Sequence, residues 1–297
     1  MVYPFDVSWM RASMVHGGSI FFVNSTHASK SDAPSSGGSP DQPFATLAYA
    51  ITQATASKGD VIYLMPGHAE TTTAIAMNKA GTKIAGVGFG RNRPTLTATT
   101  AVADLMNVTA ANVELENIRL AGAASGVTAL LDLGSAADDF YARRVSFEQA
   151  ATPLEGITIS AQRWTLEDCD FIGTANGPDR CISIEARSDQ WKLIRPRILF
   201  PAGLDNEIIK SVKVCLGYLI EDVRAVGLDT LVVNFASSSS GPPDGYFTGG
   251  TVMYSAAVTS IEDGVAAATS LGMAFGRLYA ADVTGKASGL IPLTTAS

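Results

Sequence analysis

Residues 113–120 read VELENIRL, and the same eight-residue shape returns along the chain. It is FYARRVSF from Phe140, WTLEDCDF from Trp164, WKLIRPRI from Trp191 and YLIEDVRA from Tyr218, with looser copies TKIAGVGF from Thr82 and YFTGGTVM from Tyr246. The copies begin at 82, 113, 140, 164, 191, 218 and 246, so successive spacings are 31, 27, 24, 27, 27 and 28 residues. A sustained period of this length, built from strand-forming residues, predicts a solenoid. Within a copy, apolar side chains hold positions one and three, as in Val113/Leu115 and Trp164/Leu166. A mostly polar pair follows, and apolar side chains return at positions six and eight, as in Ile118/Leu120. Alternation has period two on each side of the polar pair, but its parity flips there. Such a flip predicts a bend between two short strands that both face one interior. An α-solenoid would instead need apolar i, i+3, i+4, i+7 spacing, and these units carry Val, Ile, Thr and aromatic residues in its place.

A further strand is expected upstream of each bend: DLMNV (104–108), ALLDL (129–133), GITIS (156–160), CISIE (181–185), EIIKS (207–211) and LVVNF (231–235). The expected fold is therefore all-β, a parallel β-helix with three strands per turn and ladders of Val, Ile, Leu and Phe inside. The bend residues Asn117, Arg144, Asp168, Arg195 and Asp222 form an outer ladder whose charge partly alternates. Opposite neighbours there would stabilise the register by about 0.2–1 kcal/mol per exposed pair.

Composition narrows the function classes. The 297 residues are 46% hydrophobic and 16% charged, with 28 Gly, which suits a densely turned β protein and not a disordered chain. A formal charge of −7 without a basic cluster argues against nucleic acid as a partner. Cys169, Cys181 and Cys215 have no metal-type spacing, and Cys169 fills an apolar slot, so it is expected to be a buried small hydrophobe. No cofactor or metal is expected. No basic-then-apolar leader and no membrane-length apolar run is visible, so no membrane partner is expected and the chain is read as made in a cytoplasm.

Four segments follow in order. Residues 1–18 are an arm rich in Tyr3, Phe5, Trp9 and Met10, expected either to dock on a partner or to fold back over the first coil. Residues 19–71 read as a strand, a polar loop (24–42), a capping helix and a strand. The helix should start near Pro43, carry Phe44, Leu47, Ala48 and Ile51 on one side, and end near Lys58-Gly59. Residues 72–254 are the coils, and 255–297 a C-terminal cap or assembly tail. In that tail Ser260–Thr269 is read as a short helix and Arg277–Val283 as a strand. The loop SSSSGPPDG (237–245) is expected to project from the rod.

The opening resembles a known family. FFVN (21–24), SDAPSSGGSPDQPFATLAYAI (31–51) and GDVIYLMPGHAET (59–71) are similar to the N-termini of right-handed parallel β-helix proteins of the pectate-lyase-like superfamily. These begin with a short strand, a polar loop, a "PF-x-T" capping helix and a "GD-x-I…PG" strand. The coils extend the resemblance to about residue 254. The opening also looks like that of β-helix proteins encoded among bacteriophage structural genes.

The resemblance brings polysaccharide lyases and glycoside hydrolases into view, so an active site must be sought. Hydrolases on this fold use paired carboxylates, and the matching candidates are Glu167 and Asp170, beside Asp168 and near Arg143, Arg144, Arg195 and Arg197. The competing reading is a charge-balanced exterior ladder. Trp164 and Trp191 are either sugar platforms or core, and their inward slot points to core. His16, His27 and His68 fall outside the central coils, and His68 is expected to bond within its own turn. No nucleophile elbow, phosphate loop or dinucleotide fingerprint is present. The reading is a phage virion structural protein, a homotrimeric capsid decoration or head-associated β-helix without a catalytic site. Tyr3, Phe5, Trp9 and Met10 would dock on a major capsid protein or other virion protein. The alternatives are a tail-spike polysaccharide depolymerase using Glu167 and Asp170, or a glycan-binding adhesin using loops 24–42 and 237–245.

Overall fold

The computed structural model describes residues 17–98, 103–122, 126–149, 155–173, 180–204, 208–213, 215–228, 233–235 and 244–254, and short strands at 262–263, 272–275, 279–281 and 287–288. Three ladders of parallel strands run through it. The first stacks Ile20–Val23, Val61–Leu64, Lys83–Gly86, Glu114–Glu116, Tyr141–Arg143, Thr165–Glu167 and Lys192–Ile194 onto Leu216–Leu228, Asp244–Tyr254 and Gly272–Phe275. The second stacks Ala69–Thr72, Thr95–Ala98, Arg119–Gly122, Ser146–Gln149, Asp170–Gly173 and Arg197–Leu204. It then continues on the distal halves of the two long strands and on Tyr279–Ala281. The third, an eight-stranded sheet, runs from Ile75–Met77 through Asp104–Val108, Ala129–Leu133, Glu155–Ile159, Arg180–Ile184, Ile209–Ser211 and Val233–Phe235 to Glu262–Asp263. Coil strands therefore extend past both ends of 72–254. The helix expected at Ser260–Thr269 is replaced at 262–263 by a strand paired with Val233–Asn234.

The bend is made by one residue in the left-handed region. Asn117, Arg144, Asp168, Arg195 and Asp222 have φ of 55°, 52°, 52°, 49° and 48°, and Gly249 continues the column at 70°. That conformation reverses the pleat, so Leu115 and Ile118, on either side, both point inward and are fully buried. Each bend N–H bonds to the next coil's carbonyl, from Asn117 to Arg143 O (3.0 Å), Arg144 to Glu167 O (2.9 Å), Asp168 to Ile194 O (2.9 Å) and Arg195 to Glu221 O (2.8 Å). A second left-handed column immediately precedes the copies: Gly81, Asn112, Asp139, Arg163, Gln190 and Gly217. Asn and Asp tolerate this region through their short polar side chains, whereas Arg and Gln carry a cost of roughly 1–2 kcal/mol each. The stacked backbone bonds and ion pairs described below offset it.

Register corrects one detail of the repeat. Leu219 lies opposite Tyr246, so Tyr218 faces Gly245, and the last copy begins one residue earlier than its apolar pattern suggests. Inside, Trp164, Trp191 and Tyr218 stack with ring centroids 4.7 and 4.8 Å apart and interplanar angles of 6° and 13°. Phe147 and Phe171 stack at 4.9 Å. The tryptophans are core, and Trp164 Nε1 donates to Ser188 Oγ at 2.8 Å, which satisfies its buried N–H. The three cysteines are free and buried, and burial pushes the Cys169 thiol up to about 12.

A seven-residue helix, Leu47–Gln53, occupies the expected segment but is shorter than predicted at both ends. Thr46 is its N-cap, accepting from the Tyr49 N–H at 3.2 Å, and Asp32 receives the Ala45 and Thr46 N–H groups and the Thr46 hydroxyl. Leu47, Ala50 and Ile51 are buried; Ala48 faces outward, and Phe44 sits before the helix, bridged to Val23. Buried carboxylates organise this end. Asp60 accepts from Ser19 N–H (2.5 Å) and Thr55 N–H (2.6 Å), and Glu70 accepts from Leu47 N–H (2.8 Å).

Candidate functional site

The outward side chains of the first ladder, and of the bend that joins it to the second, form the surface on which both sequence candidates lie. Glu167 ends one strand and Asp170 starts the next, with the left-handed Asp168 turning the chain close by. Glu167 accepts a very short hydrogen bond from the Tyr141 hydroxyl, and Arg195 Nη2 donates to it at 2.5 Å. Arg195 also grips Asp168, through Nε at 2.7 Å and Nη2 at 3.2 Å, and Arg197 holds Asp170 in a two-pronged pair at 3.1 and 3.0 Å. The Tyr141 hydrogen bond, and then Arg195, hold the Glu167 carboxyl below the usual range. Arg195 does the same for Asp168. Burial and the Glu167 charge push the Tyr141 phenol up. A general acid must keep its proton near neutral pH, which these shifts oppose in Glu167. The cluster therefore fits a charge-locked register better than an acid/base pair.

The same logic runs along the column. Arg144 pairs with Glu116 on the preceding coil, while Asp168 pairs with Arg195 on the following one; Arg143 lies 3.9 Å from Asp168. Arg163 holds Asp138 (3.0 Å) and Asp139 (2.8 Å), and Arg119 holds Glu148 (2.6 Å). The pairs are mostly half exposed, so each contributes only tenths of a kcal/mol up to about 1 kcal/mol, but together they penalise a one-coil slip.

Sequence reasoning missed the other part of this surface. At the N-terminal coils the outward positions are apolar: Ile20 and Phe22, then Val61 and Tyr63, then Ala85, with Met65 and Val87 beside them. Next to this strip is a cleft of about 720 Å³, whose walls include Val61, Tyr63, Ala85, Val87 and Phe89. Phe89 is 85% exposed. The polar wall is Lys83, Glu114, Glu116, Asn117 and Arg144. Lys83 Nζ is 2.9 Å from Glu116 and 3.3 Å from Glu114. Burial acts to raise the Glu116 carboxyl, but Lys83 and Arg144 outweigh it and hold the group low. The available signal was the unbroken apolar run of IFFV and VIYL, since a strand apolar at every position is covered on both faces.

The third ladder carries a different carboxylate group. Burial, then the nearby charges of Asp132 and Glu155, raise Asp104 to about 6. Asp132 is satisfied by Asn107 Nδ2 (2.9 Å) and Thr158 Oγ1 (2.7 Å), and Glu155 by Arg180 (2.7 Å). Among the described residues no group of three or more His, Cys, Asp or Glu side chains is placed to hold a metal ion. His68 is buried, and its Nδ1 accepts from Ser25 N–H at 3.0 Å; its Nε2 lies 3.3 Å from Glu70 Oε2. It thus ties the polar loop to the first coil and does not serve its own turn alone. The docking candidates Tyr3, Phe5, Trp9 and Met10 lie outside the described residues, as do most of the 237–245 loop and most of the C-terminal tail.

No protein-family model matches the chain, and no curated protein matches it. Solved structures do. A rhamnogalacturonan lyase is similar at 13% identity with a TM-score of 0.59, over 89% of this chain and 74% of that one. A pectin methylesterase from Aspergillus niger is similar at 11% identity with a TM-score of 0.54, over 94% and 90%. The tailspike protein of an Acinetobacter phage matches at 14% identity over 84% and 60%, with a TM-score of 0.44. At these identities the first two likenesses establish the fold alone, a right-handed parallel β-helix.

Proposed function

We propose that this β-helix is a non-catalytic structural protein of a phage particle, a homotrimeric capsid decoration or head-associated protein held by its termini. The observation that carries the reading is the state of the bend where the candidate carboxylates Glu167, Asp168 and Asp170 gather. Glu167, Asp168 and Asp170 are each engaged by an arginine one coil away, and Glu167 and Asp168 are held ionised. The resemblance of residues 19–71 to β-helix proteins of phage structural genes supports the virion setting. An outward apolar column, Ile172, Leu199 and Val226, supports self-association: consecutive coils align these residues, and Leu199 and Val226 are 39% and 43% exposed. The partner would be a major capsid protein or another virion protein.

Co-sedimentation of the purified chain with particles that lack it tests the proposal. The full chain is expected to pellet with the particles, and a chain lacking residues 1–18 to stay in solution with its β circular dichroism intact. Ser19 and Asp60 remain to close the first coil in that variant. Glu167→Gln with Asp170→Asn should leave pelleting unchanged. Depolymerisation of a capsular or cell-wall polysaccharide, abolished by those two substitutions, would overturn the proposal in favour of a depolymerase.

A further inference from the structure

The second ladder opens on a strand edge that a side chain closes. Ala69–Thr72 is its first strand, and among the described strands it pairs only with Thr95–Ala98 on the following coil. The polar loop meets its other edge. Ser25 Oγ accepts from the Ala69 N–H at 3.0 Å and donates to the Ala69 carbonyl at 2.7 Å. An unpaired edge is a template for strand addition, so whatever holds Ser25 in place guards that edge.

His68 is what holds it. The ring is buried, its Nδ1 accepts from the Ser25 N–H at 3.0 Å, and its Nε2 faces Glu70 Oε2 at 3.3 Å. A neutral imidazole whose Nδ1 accepts carries its proton on Nε2, so a second proton goes to Nδ1. That proton turns the acceptor into a donor aimed at the Ser25 N–H. The charged ring would keep a counter-ion at Nε2, since Glu70 is itself buried and fixed by the Leu47 N–H, but it would lose its partner at Nδ1. Around it the loop carries His27, Lys30, Asp32 and Asp41, the helix Leu47–Gln53 carries Tyr49, and Thr95–Ala98 carries no titratable side chain. Among the described residues none of these forms an ion pair or hydrogen bond with the ring. Farther along, the loop has its own anchors: Gly37 O accepts from the Phe22 N–H, and Asp32 from the Ala45 and Thr46 N–H groups. We propose that His68 is an acid-sensitive latch: protonation of its ring releases Ser25, lifts residues 24–30 from the second ladder and bares the Ala69 edge. The inference holds whether or not the chain belongs to a virion.

Amide hydrogen exchange of the full-length protein, corrected for intrinsic rates, tests this between about pH 8 and about pH 5, a span that covers imidazole titration. At the acid end the Ser25 and Ala69 amides should lose about tenfold in protection, the effect of one lost hydrogen bond, while Ile84 and Leu120 keep theirs. The imidazole ¹⁵N shifts of His68 should move over the same pH interval. His68→Asn turns an amide oxygen that does not titrate toward Ser25, so both amides should stay protected throughout. His27 also sits in this loop, where its Nδ1 accepts from the Ser29 N–H, and His27→Asn should leave the acid opening as it is in the native chain. Ser25→Ala keeps the N–H that meets His68 and removes only the hydroxyl, and it stands in should His68→Asn not fold. Ala69 should then be unprotected at both ends of the range, while the amide of residue 25 keeps its acid response. A Ser25 amide still protected after the ring has titrated would overturn the proposal. So would a ring that stays neutral at the acid end, an opening that persists in His68→Asn, or one that vanishes in His27→Asn. None of these outcomes bears on particle binding, which is read on a different partner.

Discussion

Removing the middle ring of the aromatic stack should cost more than any surface change in this molecule. Trp191 lies between Trp164 and Tyr218 at 4.7 and 4.8 Å, and it is fully buried. Trp191→Ala loses the transfer energy of the indole and opens a cavity, together about 3–5 kcal/mol. The upper part of that range is expected, because two stacked pairs, each contributing about 0.5–1.5 kcal/mol, are lost together. At about 2 °C per kcal/mol for a chain of this size, melting should fall by roughly 6–10 °C. A solenoid coil leans only on its neighbours, so the damage should stay local. Hydrogen exchange should accelerate at residues 192–194 and 218–221 while 114–122 keep their protection. Gly245 extends the test: a Cβ there would lie 2.5 Å from the Tyr218 ring, so Gly245→Ala should destabilise the same coils by about 1–3 kcal/mol. A loss below about 1 kcal/mol for Trp191→Ala would refute the core stack. So would weakened polysaccharide binding at an unchanged melting temperature.

Two further substitutions probe the bends and the third ladder. Arg195→Gly should change stability by under about 1 kcal/mol in denaturant unfolding, because relief of its left-handed backbone offsets the lost exposed ion pairs, whereas Arg195→Val should cost about 2 kcal/mol or more. Asp104, raised to about 6, binds its proton in the folded state at a pH where the unfolded chain has released it. Stability should therefore fall as pH rises from about 4 to about 6, by about 1 kcal/mol once solvent screening of this half-exposed group is allowed for, and Asp104→Asn should abolish that fall when urea unfolding is compared at pH 4 and pH 8.

The coils were legible because a parity flip leaves a trace in apolar spacing that no other structure explains. The left-handed bend itself was not. Asn117, Asp168 and Asp222 suit the conformation, but Arg144, Arg195, Arg163 and Gln190 occupy the same conformation with residue types that signal nothing of the kind. The misplaced final copy has the same origin, since Gly245 carries no apolar signal and only the cross-strand register reveals it. Glu167 and Asp170 were found as a cluster, yet their partners depend on side chains one coil away, Arg195 and Arg197, whose aim a sequence does not record. The groove was hidden by its own consistency. VIYL and IFFV read as strands whether one face or both are covered, and only the stacking of coils shows that the outward half is covered too.

Cryo-electron microscopy of particles assembled with this protein tests the structural reading most directly. The account predicts rod-shaped density standing on the capsid shell, with the N-terminal coils toward the shell and the Glu167–Arg195 bend away from any bound glycan. Density at the tail tip, with polysaccharide lying along the Glu167 and Asp170 bend, would contradict it.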